Sequence, residues 1–400
     1  MTALVSQAFA VGLTHGIFPV FLQPIEAAFD APRTTIAAGQ VVMMLSLTGS
    51  GLLTGHLFDR GHARRIMLGG AMLLAFALVA AARSSGLWTL AGSAALMGMS
   101  VPSIGPLSGG TLVTRFFRAE RGRALGWIGM GPPLGAGLFA GLAGLLLARV
   151  DWRTTLLVFA AGVALVLWPL IWLAVPARFE AAPPMTPASA AESVRGSTSP
   201  ASPGTASPFR QRVFWLTAGM FALAAGISTG WTAHFVAYLA GQGLAEEQCA
   251  ALLSAQFWMA VPASFAFGAL GDRLGPSRLL LAILALQGLI LLLFARSLGS
   301  AALPHVVLAG LGVLSGLASG GLIPLFLLLL GRRVEPAVFS RAFSVSNLLM
   351  LPVLAGAALV AAGGFERQGH YGGALVILAA GHGLAIGLLV ASNRGGASAS

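Results

Sequence analysis

The chain is dominated by uninterrupted apolar runs of about 20 residues or more, the length that crosses a bilayer as a helix. Of its 400 residues, 57% are hydrophobic and only 9% are charged, whereas a soluble domain carries roughly 25% charged residues. In lipid the backbone must satisfy its own hydrogen bonds, within helices or in a closed barrel. The alternating pattern of barrel strands is missing from the sequence. The expected class is therefore an all-α membrane protein.

Cutting the sequence at charged or Gly/Pro-rich breaks predicts twelve spans. They fall near 3–27, 34–57, 65–82, 88–114, 124–148 and 154–175, then near 213–240, 248–270, 279–296, 303–330, 341–362 and 372–392. Every one of the 23 basic residues is Arg. Arg33, Arg83, Arg149, Arg153, Arg296 and Arg367 fall in one set of loops, and the other 17 fall in the opposite set and the C-terminal tail. Basic residues beside spans are retained in the cytoplasm, so both termini are expected there, in a plasma membrane of the bacterial inner type. Arg33 is the first basic residue, so the opening stretch lacks the positive region of a cleaved signal and reads as a retained span.

The net charge of +11 is scattered over short loops, a pattern that does not point to nucleic acid. A single cysteine, Cys249, leaves neither a disulfide nor a cysteine metal cluster. Residues 176–212 are rich in Ala, Pro, Ser and Thr, a composition that cannot bury enough apolar surface to fold. They read as a disordered cytoplasmic tether, covering about 30–36 Å as a flexible coil. The tether separates a six-helix unit over 1–175 from another over 213–395.

The two units repeat. Gly55-His-Leu-Phe-Asp59-Arg60-Gly61, followed by Arg64 and Arg65, returns 213 residues later as Gly268-Ala-Leu-Gly271-Asp272-Arg273-Leu-Gly275. Gly105-Pro-Leu-Ser-Gly109-Gly110 matches Gly316-Leu-Ala-Ser-Gly320-Gly321. Arg121 and Pro132 match Arg341 and Pro352. Two six-helix halves related by repetition are a transporter architecture, with the site near the midplane between them.

On these motifs the chain resembles the major facilitator superfamily over everything but the tether. Gly55–Arg65 is similar to that family's signature between helices 2 and 3, and Gly268–Arg278 to its echo between helices 8 and 9. The stretch from Arg115 through Arg121 to Gly126, with Gly129 and Gly135, resembles the helix 4–5 motif of the monocarboxylate and oxalate–formate branch. His234-Phe-Val-Ala-Tyr238 resembles helix 7 of that branch. Gly131-Pro132-Pro133-Leu-Gly135-Ala-Gly137 is similar to the helix 5 motif of drug antiporters. The resemblance implies twelve helices in two pseudo-symmetric bundles and transport by alternating access. It also implies a cytoplasmic latch that holds the outward-facing state, built from Gly55, Asp59, Arg60, Gly268, Asp272 and Arg273. Arg121 and Arg341 are its expected partners. Relatives that carry carboxylates place Arg in helix 8 or a basic residue in helix 11; 252–270 and 342–362 hold no charged residue here.

Ionisable groups deep in lipid are costly and usually line a pathway. His15 stands about 20 Å along the first span at 1.5 Å per residue, and His234 lies in its repeat partner; either can carry a proton near neutral pH. Gln40, Gln256 and Asn347 can each donate and accept hydrogen bonds to a solute, or serve as interhelical glue. His382 is expected at the periphery. Glu26 is expected to be an ordinary boundary carboxylate. Gly131, Pro132 and Gly135 suit a helix-5 hinge or close packing. With no phosphate-cradling loop and no nucleophile–base or metal-ligand spacing, neither catalysis, a cofactor nor a metal is expected. The expected function is secondary transport of a small organic solute, monocarboxylate-like and proton-coupled, by a monomer in the lipid bilayer. The alternatives are a proton-driven efflux antiporter for hydrophobic drug-like compounds and a non-transporting receptor.

Overall fold

The computed structural model describes residues 1–59, 62–109, 129–176, 209, 211–296, 303–334 and 339–397, which are helical apart from short turns. The N-terminal set comprises α1 Thr2–Val11, a π turn Gly12–Gly16, α2 Phe18–Phe29, α3 Arg33–Asp59, α4 Ala63–Ala82 and α5 Leu87–Ile104. It continues with α6 Gly131–Leu147, α7 Trp152–Gly162, a second π turn Val163–Leu167 and α8 Trp168–Ala174. The C-terminal set comprises α9 Arg212–Gly241, α10 Glu246–Leu274, α11 Pro276–Arg296, α12 His305–Arg333, α13 Phe339–Gln368 and α14 Gly372–Ala397. Among the described residues ten helices are long and apolar enough to cross a membrane, and α1–α2 together make an eleventh. The shorter apolar α6 stands where the fifth span is expected. Most of the tether lies outside the described residues.

The first span is one continuous run in the sequence but bends by 41° between its two parts. Pro19 sits at the start of α2 and Pro24 inside it. A proline removes a backbone donor and crowds the preceding turn, so the helix yields there. The π turn takes up the distortion and carries His15.

Lipid offers no hydrophobic drive for helices to associate, so they pack where small residues let backbones meet. In α6, Gly131 and Gly135 face the backbones of Leu4 and Ala8 in α1. Two residues further along, on the opposite side of the helix, Gly137, Gly141 and Gly144 face Trp258, Ser254 and Ala250 of α10. α6 is thus wedged between its own half and the other. The second half repeats the device: Gly226 and Gly230 of α9 meet Val353 and Leu354 of α13, as Gly12 and Gly16 meet Gly135 and Ala136. Gly98 receives the Met43 carbonyl as Gly316 receives that of Gln256. By packing, therefore, the counterpart of Gly316 is Gly98, not the Gly105 of the sequence match.

The halves touch along three pairs, α6 with α10, α3 with α13 and α2 with α9. Loop arginines pin the bundle ends. Arg153 donates to the carbonyls of Ala82 and Ser84 at 2.7 and 2.8 Å. Arg333 donates to Thr217, Ser392 and Asn393 and so joins α12, α9 and α14.

The wedge makes a prediction. A Cβ at Gly135 would collide with the Ala8 backbone, whereas one at Gly69 meets nothing within 4 Å. Gly135→Ala should cost about 1–3 kcal/mol through overpacking, and Gly69→Ala should gain roughly 0.5–1 kcal/mol. Thermal unfolding in detergent reads both; equal melting temperatures would remove the packing argument.

Candidate functional site

Between the halves, at the level of the first π turn, lies a cavity of about 160 Å³. His15, Pro19 and Gln40 come from the N-terminal half, while Thr232, Gln256, Gln287, Ser315, Ser319 and His382 are among those from the C-terminal half. None of the described lining residues is Asp, Glu or Arg. A larger hollow of about 390 Å³ lies within the N-terminal half beside exposed Trp88. Its wall is almost wholly apolar, so it offers little to orient a polar solute.

The bend positions His15. The Thr14 hydroxyl donates to the Ala10 carbonyl at 2.6 Å, which commits its single hydrogen. The His15 Nδ1 lies 2.9 Å from that same oxygen and must therefore be the donor. Nε2 lies 3.2 Å from the Met44 thioether, which can only accept, so the two ring contacts favour opposite tautomers. His15 thus places an imidazole held from both sides in the cavity wall.

Gln40 and Gln256 line the same cavity as expected, and the Oε1 atom of each is buried without a hydrogen-bond partner. Gln256 Nε2 reaches Ser315 Oγ at 3.4 Å. His234 is not among the lining residues. It is fully buried between α9 and α13, its Nε2 donating to the Ala358 carbonyl at 3.0 Å. Asn347 also falls outside the cavity wall and donates to the Phe343 carbonyl one turn earlier at 3.0 Å. The expected peripheral place of His382 is corrected: it is buried in the cavity wall, with Nε2 3.0 Å from Gln287 Oε1. Gln287 was legible as a lone amide in an apolar span, but only packing turns it inward.

One end of the cavity is shut by a cluster that spans both halves. Arg33 pairs with Glu26 at 2.6 Å, donates to the Tyr371 hydroxyl at 2.7 Å and stacks 3.8 Å above the Phe365 ring. Beside it, the Thr34 amide donates to Glu366 at 2.7 Å. Burial pushes the Tyr371 hydroxyl up to about 12, so it remains a neutral acceptor for the guanidinium. Glu26 is therefore part of a closure rather than a plain boundary carboxylate. Sequence alone could not show this, because Arg33 and its partner Tyr371 are 338 residues apart.

A gap of about 390 Å³ divides Val41 and Leu45 of α3 from Leu348, Leu351 and Leu354 of α13. The expected latch falls largely on residues that are not described. Arg60 and Arg121 lie outside the described residues, as do the side chains of Asp59 and Arg341. Asp272 and Arg273 are exposed, and Asp272 pairs with no described residue.

The seal is testable. Arg33→Gln should remove a charge-assisted contact worth about 1.5–3 kcal/mol, which is tenfold or more in the open-to-shut ratio. Tyr371→Phe should act in the same direction but less. A water-soluble thiol reagent applied from the Arg33 side, against a cysteine placed at Thr229 in the cavity wall, measures it; unchanged labelling in both variants would refute the seal.

Comparison with known proteins agrees with this architecture. No curated protein matches the sequence significantly. Among solved structures, a peptide transporter, POT, in complex with sulfate is similar with a TM-score of 0.75 and 16% identity, covering 99% of this chain and 94% of that one. A bacterial homologue of the human lysosomal transporter Spinster, described as inward-facing and unoccupied, has a TM-score of 0.72 and 14% identity, covering 98% and 96%. Both likenesses concern the fold. The profile of the Major Facilitator Superfamily matches residues 4–347, and the chain belongs to that family of membrane transporters.

Proposed function

We propose that the protein is a secondary active transporter that moves a small organic solute by rocking 1–175 against 213–395 about the shared cavity. The observation that carries this reading is a polar cavity between the halves, shut at the Arg33 cluster and flanked by a gap on the other side. The arginine distribution places the shut end outside and both termini in the cytoplasm, so this conformation is inward-facing. The cytoplasmic latch built on Asp59 and Asp272 closes in the opposite state. Each cavity is formed within one chain, and the monomer is the working unit.

Protons are the coupling ion in this reading, with His15 as the acceptor in the wall. The monocarboxylate-like solute suggested by the branch motifs would need a cation to receive it, and none of the described lining residues is Arg. A solute held by neutral polar groups fits better. That same charge-poor wall, with the Gly131–Gly137 motif, supports proton-driven efflux of hydrophobic drug-like compounds as the second reading.

Flux into proteoliposomes under an imposed pH gradient tests the coupling. His15→Ala should lower gradient-driven flux at least about tenfold, a change of roughly 1.4 kcal/mol; undiminished flux would exclude His15 as the proton site. The latch can be ranked as well: the first copy fits the family signature better, so Asp59→Asn should impair transport more than Asp272→Asn, and the reverse order would refute the assignment. Rocking itself can be arrested. A Cβ at Gly363 lies 4.0 Å from the Thr34 methyl, so the two positions are neighbours across this end. The double variant Thr34→Cys, Gly363→Cys should cross-link on mild oxidation and lose transport until reduced; transport that continues through complete cross-linking would rule out opening at this end.

A further inference from the structure

The two seams between the halves differ. Along α6 and α10, glycine faces bring the helices together, and Ser254 Oγ donates to the Gly137 carbonyl at 2.6 Å. Along α3 and α13 the Thr34 amide reaches Glu366 at the Arg33 end, and further along lies the crevice of about 390 Å³. Its described lining, from Val41 to Leu45 on one side and from Leu348 to Ala355 on the other, is wholly apolar. Leu45 and Leu348 are each 58% exposed. On α3 this level stands roughly 12–18 Å from Arg33 at 1.5 Å per residue, within the depth of a hydrocarbon core about 30 Å thick. An apolar opening at that depth suits lipid chains, because water would need polar partners.

Met44 joins this crevice to the polar cavity. It lines the crevice, is buried and sets its sulfur 3.2 Å from His15 Nε2, while His15 lines the cavity. Gln40, one turn earlier on α3, lines the cavity itself. Methionine is unbranched, with three rotatable bonds, so its side chain can swing aside without a movement of the backbone. A molecule entering past it would keep its apolar part among the crevice leucines while its polar part met Gln40, Gln256 and Ser315. The apolar part would never meet water on this route, whereas an aqueous route would forfeit the hydrophobic stabilisation of every CH₂ group.

We propose that the crevice between α3 and α13 is a portal from the bilayer, with Met44 as its door, and that the solute is an amphiphile with a neutral polar head and an apolar tail. The proposal rests on the transporter reading of this cavity. Thr229→Cys supplies a reporter in the cavity wall, and native Cys249 is buried. The purified full chain in lipid nanodiscs is labelled with N-phenylmaleimide, which partitions into lipid, or with 4-sulfophenylmaleimide, which has nearly the same shape but stays in water. Met44→Ala should speed labelling by N-phenylmaleimide at least about tenfold. Ala355→Phe, which narrows the crevice away from His15, should slow it by as much. The sulfonated reagent should label both variants at the unchanged rate, which also reports an intact cavity. Equal acceleration of both reagents in Met44→Ala would assign a water path and overturn the portal. Labelling by N-phenylmaleimide that ignores both substitutions would overturn it as well. Decyl glucoside below its micellar concentration should slow labelling of Thr229→Cys, and glucose should not; protection by neither, or by both alike, overturns the amphiphile. Failure of the transporter reading is seen separately, as Met44-dependent labelling and decyl glucoside protection without flux of decyl glucoside in proteoliposomes.

Discussion

Backbone-to-backbone contact between helices is the interaction on which the rest of this structure depends. A lipid-embedded bundle gains nothing from hiding leucine from hydrocarbon, so helices cohere only where they approach closely. α6 does this on two opposite faces, with Gly131 and Gly135 against α1 and Gly137, Gly141 and Gly144 against α10. One helix thereby fixes the inner packing of its half and seats it against the other, where the Ser254 hydroxyl donates to the Gly137 carbonyl at 2.6 Å.

The same constraint shapes the chemistry of the cavity. Hydroxyls on these helices back-bond to carbonyls one turn earlier, as Thr14, Thr232 and Ser346 do. Where a charge does occur within the packing, it is used for closure. Arg33 is buried against a carboxylate, a phenol and an aromatic face drawn from both halves.

Much of this was legible before any coordinates. Apolar run length gave the spans, and the repeat of Gly55–Arg60 as Gly268–Arg273 gave the two halves. His15, Gln40 and Gln256 were readable as cavity residues because a polar group in a long apolar helix needs a partner or a purpose. The misreadings share one cause. His234 and His382 look alike in sequence, each a lone histidine in an apolar helix, yet His234 is clamped against Ala358 while His382 faces Gln287 in the wall. Which way a residue points depends on helix rotation, and rotation is set by neighbouring helices. The counterpart of Gly316 was misplaced for the same reason: Gly98 and Gly105 are equally plausible in sequence, and only the Met43 carbonyl chooses between them.

The sequence by itself determined the solvent, the helical class, the duplication and the inventory of polar groups, because each follows from local composition and spacing. Tertiary structure decided the bend at His15, the partners of Arg33, and the membership of Gln287 and His382 in the cavity. Those properties depend on contacts between residues up to 338 positions apart, and on the commitment of each hydrogen to a particular neighbour. Neither is encoded in a local pattern; both emerge only when the helices have chosen their faces.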